Sequence, residues 1–342
     1  MPVDPDKRLQ LSVVVTIKNE VNTVCDLLDS LLAQSMRPSE IIVVDGASAD
    51  GTLEILLDRE RCGQISVISK KCNIAEGRNL GIRMAKYPLV ACTDAGCKVD
   101  KKWVESIIEC FSVHHEPDMI AGNFKLIWEN DLEESFARAH FSRKRWQTDS
   151  AKFFPSSRSV AFKKTAWEVA GGYPEWLYAA EDTLFNVRMR QIGMRFVFCE
   201  KAIVQWRPRK DFRSFWRQHF NFGRGNGRIG ISAKGYERNI KYHAAILFPL
   251  IASFWTPYFF FFSILFAWLH VKAHLLEQSR DAAHDSGKSS MFWRVLLAME
   301  MLRLASLMGW FAGRFDRKFN KAFVTRQQEW MGVSSVDDLK FD

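Results

Sequence analysis

The chain has 342 residues, of which 47% are hydrophobic and 25% are charged, and its formal net charge is +9. This composition excludes an intrinsically disordered protein, and the positive charge predicts an anionic partner such as a phosphorylated ligand, an anionic lipid or nucleic acid. Seven cysteines, an odd number without a C-x-x-C pair, indicate a reducing compartment and argue against a disulfide framework or a structural zinc site.

The N-terminus reads M-P-V-D-P-D-K-R and lacks the apolar core of a signal peptide, so we expect the first domain to stay in the cytosol. Short β-branched runs then alternate with stretches whose apolar residues have helical spacing. This alternation is typical of a parallel, doubly wound α/β sheet. Four strands are predicted at residues 11–16, 41–44, 65–68 and 89–92.

Each predicted strand is followed, at its carboxyl end, by polar or acidic residues. Because the carboxyl ends of parallel strands lie at the same edge of a sheet, we expect these side chains to line one ligand crevice. The first strand ends in T-I-K-N-E, which has no glycine, so a dinucleotide-binding site is not supported, and the chain contains no P-loop motif. The crevice residues are Thr16, Asn19, Glu20, Asp45, Arg78 and Asp94.

Asp94 stands alone in the turn T-D-A-G that leaves the fourth predicted strand. Its hard oxygens suit Mg²⁺ or Mn²⁺ carrying a diphosphate. The alternative is that Asp94 only caps a helix that begins near Lys101. The isolated motif leaves both interpretations open.

Four motifs together resemble glycosyltransferase family 2, a large inverting family with the GT-A fold. They are V-V-V-T-I-K-N-E, I-I-V-V-D-G-A-S-A-D-G-T, T-D-A-G, and G-G-Y-P followed by Glu181 and Asp182. The resemblance covers residues 10–230 and implies a nucleotide-sugar donor with a divalent cation, Mg²⁺ or Mn²⁺, on Asp94. The second acid of the family's D-x-D metal motif is Gly96 in this chain. The residues implied to bind the donor are Thr16, Asn19, Glu20, Asp45, Ser48, Arg78 and Asp94, with Asp50 shaping the second loop.

The resemblance also implies an acceptor pocket at Gly171, Gly172 and Tyr173, and a catalytic base at Asp182 with Glu181 as the second candidate. From the residues alone, the two glycines indicate a tight turn, and two adjacent acids at a helix start are also ordinary partners of the helix dipole. Inverting sugar transfer needs one base within hydrogen-bond reach of the acceptor hydroxyl, and a partly desolvated carboxylate can serve.

Arginines alternate with aromatic residues over residues 207–228. Such a stretch can bind single-stranded nucleic acid, lie on an anionic membrane or supply arginine to a diphosphate. We predict no nucleic-acid partner, because no RNA-binding motif accompanies the stretch and the next segment is apolar. We expect Arg217 and Arg224 to contact the donor diphosphate.

Residues 244–269 contain no charged side chain over 26 positions, which is long enough to cross a bilayer. Residues 291–313 are apolar apart from Arg294, Glu300 and Arg303, so they either cross the membrane or lie in its interface. The predicted organisation is a cytosolic GT-A domain (1–230), a basic linker (231–243), a transmembrane helix (244–269), a loop (270–290), a second transmembrane or interfacial helix (291–313) and a cytosolic tail (314–342).

The sequence therefore predicts an α/β fold, a GT-A type doubly wound mixed sheet followed by C-terminal membrane helices, on the cytosolic side of the cytoplasmic (inner) membrane. The predicted activity is inverting transfer of a sugar from a nucleotide-diphosphate donor to a lipid, lipid-linked or glycan acceptor. The alternative is a non-catalytic membrane scaffold or nucleotide-binding protein with the same fold, which Gly96 favours.

Overall fold

The computed structural model describes residues 9–113, 117–140 and 155–333. The chain divides into two compact units, the first formed by residues Met1–Leu126 and Thr148–Arg207 and the second by Ile127–Gln147 and Pro208–Asp342. The second unit therefore begins earlier than the predicted boundary at residue 230 and also takes in a segment from the middle of the chain.

In chain order the elements are β1 (Leu11–Ile17), α1 (Val24–Leu32), β2 (Glu40–Asp45), α2 (Thr52–Arg61), β3 (Ser66–Ser69), α3 (Ile74–Met84), β4 (Leu89–Asp94), β5 (Cys97–Val99), α4 (Trp103–Val113), β6 (Met119–Leu126), α5 (Asp131–His140), β7 (Val160–Lys163), α6 (Lys164–Ala170), α7 (Glu181–Gln191), β8 (Phe196–Trp206), α8 (Phe212–Ile229), α9 (Ala233–Ala252), α10 (Phe259–His274), α11 (Leu276–Ser286), α12 (Ser289–Phe319) and α13 (Ala322–Met331).

The first unit is built on one eight-stranded sheet of order β3-β2-β1-β4-β7-β6-β8-β5. β3, β2, β1 and β4 are parallel, whereas β7 pairs antiparallel with both β4 and β6. The four predicted strands and the mixed character of the sheet are confirmed. Val13, Val14 and Val15 of β1 are at most 1% exposed. Such continuously apolar runs are typical of strands covered on both faces.

In the second unit, α8 packs against α12 through glycines on both helices. A Cβ at Gly223 or Gly227 of α8 would collide with the backbone of Ser306 or Trp310, and one at Gly309 or Gly313 would collide with the backbone of α8. Only glycine permits so close an approach of two helix backbones. An apolar core beside this contact contains Phe136, Phe215, Met291 and Val295.

The predicted transmembrane helix at residues 244–269 is wrong as one continuous helix. α9 ends at Ala252 and α10 begins at Phe259, and Ser263 Oγ donates to the carbonyl of Ile246 at 2.8 Å, so the two helices form a hairpin. Pro257 explains the break, because it disfavours the helical conformation of the preceding residue and has no N–H to donate.

The remaining C-terminal predictions also change in outline. The predicted linker at 231–243 belongs mainly to helix α9, and the predicted loop at 270–290 contains helix α11. Within the described residues, α12 alone is long and apolar enough to span a membrane, and α10 with α11 passes the same test as a pair bent by 57°. The predicted tail beyond 313 continues α12 and adds α13, and its residues 334–342 lie outside the described part.

Candidate active site

The sheet register gathers the predicted acids at the carboxyl end of β1. Ile17 of β1 pairs with Asp45 at the end of β2, and Thr16 pairs with Asp94 at the end of β4. The two carboxylates therefore flank β1, one on each neighbouring strand, as expected for ligand-binding residues at the edge of a parallel sheet. The alternative role of Asp94 as a helix cap is wrong, because β5 follows it and Asp100 accepts the Lys102 N–H before α4.

The loops after β1 and β2 are joined by hydrogen bonds between their side chains and backbones. Asn19 N–H donates to Ser48 Oγ, the Ala49 N–H donates to Asn19 Oδ1, each at 2.9 Å, and the Val21 N–H donates to Asp50 Oδ2 at 3.1 Å. Glu20 accepts the Thr23 hydroxyl at 2.7 Å. The residues predicted to bind the nucleotide-sugar donor therefore lie together, and their hydrogen bonds fix the conformations of the two loops.

Asp45 is fully buried at the base of these loops. Its carboxylate accepts the Ser69 hydroxyl at 3.0 Å and the Ser48 N–H at 3.2 Å to Oδ2. Thr16 Oγ1 is also buried, and it has no hydrogen-bond partner within the described residues. Because this oxygen is not accessible to solvent, the structure does not present the Thr16 hydroxyl to a ligand at the sheet edge.

Arg78 is the centre of the site. It is 3% exposed, and its guanidinium donates from Nη2 to Asp94 Oδ1 at 2.8 Å and from Nη1 to Glu181 Oε1 at 2.7 Å. It also lies 5.4 Å from the centroid of the Tyr173 ring. Burial acts to lower the pKa of Arg78, but Asp94 and Glu181 outweigh it and raise that pKa. Arg78 thus connects β4, α3 and α7.

The two acids at the start of α7 have different surroundings. Glu181 is 6% exposed, and burial first and Asp182 second raise the pKa of its carboxyl to about 7 against the opposing effect of Arg78. Asp182 is half-buried, and its Oδ1 accepts the Thr183 N–H at 2.7 Å and the Thr183 hydroxyl at 3.3 Å. Of the two, Asp182 is the more accessible to a second substrate.

The predicted acceptor turn is held by a residue that the sequence did not single out. Asn79 Oδ1 accepts the Tyr173 N–H at 2.8 Å, and Asn79 Nδ2 donates to the Tyr173 carbonyl at the same distance. Gly171 and Gly172 both have positive φ, of 83° and 75°. The only sequence signal for Asn79 was its position after Arg78 in G-R-N, one turn beyond the capping box at Asn73.

The two arginines predicted to contact the diphosphate lie on α8, in the second unit. Arg224 donates to Asp316 of α12 from Nε at 2.8 Å and from Nη2 at 3.2 Å. Arg228, one helical turn on, shares the same carboxylate at 2.7 Å. Arg224 therefore has a structural partner, and Arg217 is exposed.

Comparison with known proteins agrees with this architecture. The glycosyl transferase family 2 model matches residues 12–169. The O-antigen chain rhamnosyltransferase RfbN of Salmonella typhimurium is 22% identical over 225 residues, 61% of this chain and 71% of that protein. The glycosyltransferase AglE of Haloferax volcanii is 22% identical over 319 residues, 87% of this chain and 94% of that protein.

A solved structure with the same fold is the mannosyltransferase PcManGT from Pyrobaculum calidifontis, in complex with GDP-Man and Mn²⁺. It superposes with a TM-score of 0.54 at 16% identity, over 90% of this chain and 88% of that one. The mixed sheet, the acids at its edge and these matches together show a glycosyltransferase with the GT-A fold, whose residues 12–169 match glycosyltransferase family 2.

Proposed function

We propose that this enzyme transfers a sugar, with inversion, from a nucleotide-diphosphate donor to a lipid, lipid-linked or glycan acceptor. The observation that supports it most is the bridge from Arg78 to Asp94 and Glu181. This bridge fixes the acid at the edge of β4 and the acid pair at the start of α7 around one guanidinium. In this proposal Asp94 lies near the donor diphosphate, and Glu181 lies next to Asp182, which faces the acceptor. The bridge holds both parts of the site in fixed positions.

The nucleoside of the donor binds, in this proposal, at the ends of β1 and β2. Asp45 and the loop residues Asn19, Glu20 and Ser48 surround that edge of the sheet. The hydrogen bonds between the two loops hold them in place before the donor arrives. This preorganisation reduces the cost of ordering the loops on binding.

Asp94 fits a divalent cation. Its side chain is 33% exposed at the sheet edge, and the carboxylate offers hard oxygen atoms. Mg²⁺ and Mn²⁺ commonly bind through one or two carboxylates together with substrate phosphates, so Gly96 in place of a second acid is compatible with either ion. Bound there, the cation would neutralise charge on the leaving diphosphate. Arg78 holds Asp94 in position from the protein side.

Asp182 acts as the base in this proposal. It removes the proton from the acceptor hydroxyl, whose oxygen attacks the anomeric carbon from the face opposite the diphosphate; the bond from that carbon to the diphosphate oxygen breaks. Thr183 orients the Asp182 carboxylate through two hydrogen bonds. Glu181 is a positioning residue, because it is buried and bound to Arg78.

Membrane attachment is proposed from two exposed apolar surfaces of the second unit. Phe254, Trp255 and Tyr258 at the tip of the α9–α10 hairpin are 87%, 79% and 76% exposed. A stripe of large apolar side chains also runs along α12 at helical spacing, with Trp293 at 69% and Phe315 at 63% exposed. Contiguous exposed apolar surfaces of this kind are typical of membrane contact, and they support an acceptor that is a lipid or is carried by one.

The second candidate function is a non-catalytic membrane scaffold or nucleotide-binding protein. The observation in its favour is Gly96, which offers no side chain to a metal and whose Cβ position is open space.

Donor binding is tested by the thermal midpoint of the detergent-purified chain with a panel of nucleoside diphosphates, with and without Mn²⁺. A ligand at 100 times its Kd stabilises the folded state by about 2.7 kcal/mol. We expect a cation-dependent rise for one nucleotide, lost in Asp94→Ala. Asp58→Ala is the matched control, because Asp58 is an acid of the same unit with a 71% exposed side chain. No rise with any nucleotide would refute the donor site.

A further inference from the structure

A second cluster of metal-ligating side chains lies in the helical unit. His243 of α9, His270 of α10 and Glu300 of α12 each offer one ligand atom, and these atoms lie within 4.8 Å of one another. Glu300 Oε1 lies 2.7 Å from His243 Nε2, and Glu300 Oε2 lies 3.0 Å from His270 Nε2. The side chains are 14%, 4% and 27% exposed for His243, His270 and Glu300. The cluster is thus largely shielded from water.

The hydrogen bonds of His243 determine where its proton lies. His243 Nδ1 is 2.8 Å from the carbonyl oxygen of Asn239, which can only accept, so Nδ1 carries the hydrogen. In the neutral ring, Nε2 then presents a lone pair to an oxygen of Glu300, which also only accepts. A cation between these two atoms removes the conflict. In metal-bound histidines it is also usual that one ring nitrogen donates its hydrogen to a carbonyl oxygen while the lone pair of the other binds the metal.

We propose that His243, His270 and Glu300 bind one divalent transition-metal ion of the Zn²⁺ class. Two histidine nitrogens and one glutamate oxygen form a set of three protein ligands that zinc accepts, with a further position for water. Bonds of about 2.0–2.1 Å in tetrahedral geometry separate ligand atoms by about 3.3 Å, so small side-chain shifts admit the ion. The cysteine pattern argued only against a zinc site built from cysteine thiolates. The present set contains no cysteine, so that argument does not apply to it.

The ion would join three helices at the base of the apolar hairpin. His243 immediately precedes, and His270 immediately follows, the uncharged segment of residues 244–269, and Glu300 lies on the long helix α12. Its role is to fix the hairpin against α12. This site is distinct in residues and ligand type from the all-oxygen site proposed at Asp94, and it does not rest on the catalytic proposal.

Cobalt binding tests the site, because Co²⁺ bound by histidine in a four-coordinate site gives intense visible absorption. The detergent-purified full chain is stripped with a chelator and titrated with Co²⁺ and then Zn²⁺, in excess Mg²⁺ to occupy oxygen-only sites. We expect one equivalent of Co²⁺ with visible bands that Zn²⁺ abolishes. His243→Asn and Glu300→Gln should weaken binding by about tenfold or more.

His284→Asn is the matched control, since His284 lies in the same unit with a side chain 88% exposed, and its titration should match the wild type. Absence of the bands in the wild-type chain would overturn the proposal and leave a proton as the cation between His243 and Glu300. Equal binding by His243→Asn and the wild type would also overturn it. If either variant fails to fold, the titration of the wild-type chain decides the outcome.

Discussion

Replacing Arg78 by methionine tests whether the bridge organises the active site. Arg78 is 3% exposed, and the substitution keeps an unbranched apolar chain while removing the charge shared by Asp94 and Glu181. Removing one partner of a buried ion pair costs about 3–5 kcal/mol. The lower end applies here, because Asp94 has a side chain 33% exposed to water and Glu181 can take up a proton. We therefore expect a loss of about 3 kcal/mol.

The assay is the thermal midpoint of the purified chain, and a loss of this size corresponds to about 6–12 °C for a unit of this length. Arg83→Met is the matched control on the same helix, because Arg83 has a side chain 53% exposed and lies 3.4 Å from Glu175. It should change stability by about 0.5 kcal/mol or less. Adding Glu181→Gln to Arg78→Met should cost less than the sum of the two single changes. A variant Arg78→Met as stable as Arg83→Met would refute the reasoning.

Three further predictions concern single positions. In the folded chain the pKa of Glu181 is raised to about 7 from 4.5, so the protonated carboxyl stabilises the fold at low pH, and this stabilisation is lost as the pH rises through about 7. The thermal midpoint of the wild-type chain should therefore decrease between about pH 5 and about pH 8, and that of Glu181→Gln should decrease less. A Cβ at Gly223 would collide with α12, so Gly223→Ala should destabilise by about 1–3 kcal/mol, whereas Gly235→Ala, which meets open space, should not; equal midpoints would contradict the close helix contact. Trp255→Ser should reduce sedimentation of the chain with anionic vesicles, and unchanged sedimentation would argue against membrane insertion of the hairpin tip.

The fold of the first unit was predictable because its strands are locally encoded. The run that forms β1 is β-branched and apolar, and the acids Asp45 and Asp94 are the last residues of β2 and β4. Parallel pairing then brings both carboxylates beside the end of β1 whatever the loops contain. The sequence therefore predicted which acids meet at the sheet edge.

The partners of the arginines were not predictable, because they depend on tertiary packing. Arg78 reaches Glu181 across 103 residues, and Arg224 reaches Asp316 across 92. No local spacing in the sequence encodes such pairs. The sequence therefore predicted donor contacts for Arg78 and Arg224 but neither of these ion pairs. Hydropathy also favoured one long helix at residues 244–269, since it is insensitive to the break before Pro257.

The most direct test of the catalytic account is release of nucleoside diphosphate from a panel of nucleotide sugars in the presence of a membrane lipid extract. We expect the wild-type chain to release the diphosphate from one donor, and Asp182→Asn to abolish release while keeping the donor-induced rise in thermal midpoint. Glu168→Gln, which changes an acid on α6 of the same unit, should release it at the wild-type rate. Undiminished release by Asp182→Asn would contradict the assignment of the base, and no release by the wild type with any donor would contradict the proposed transfer.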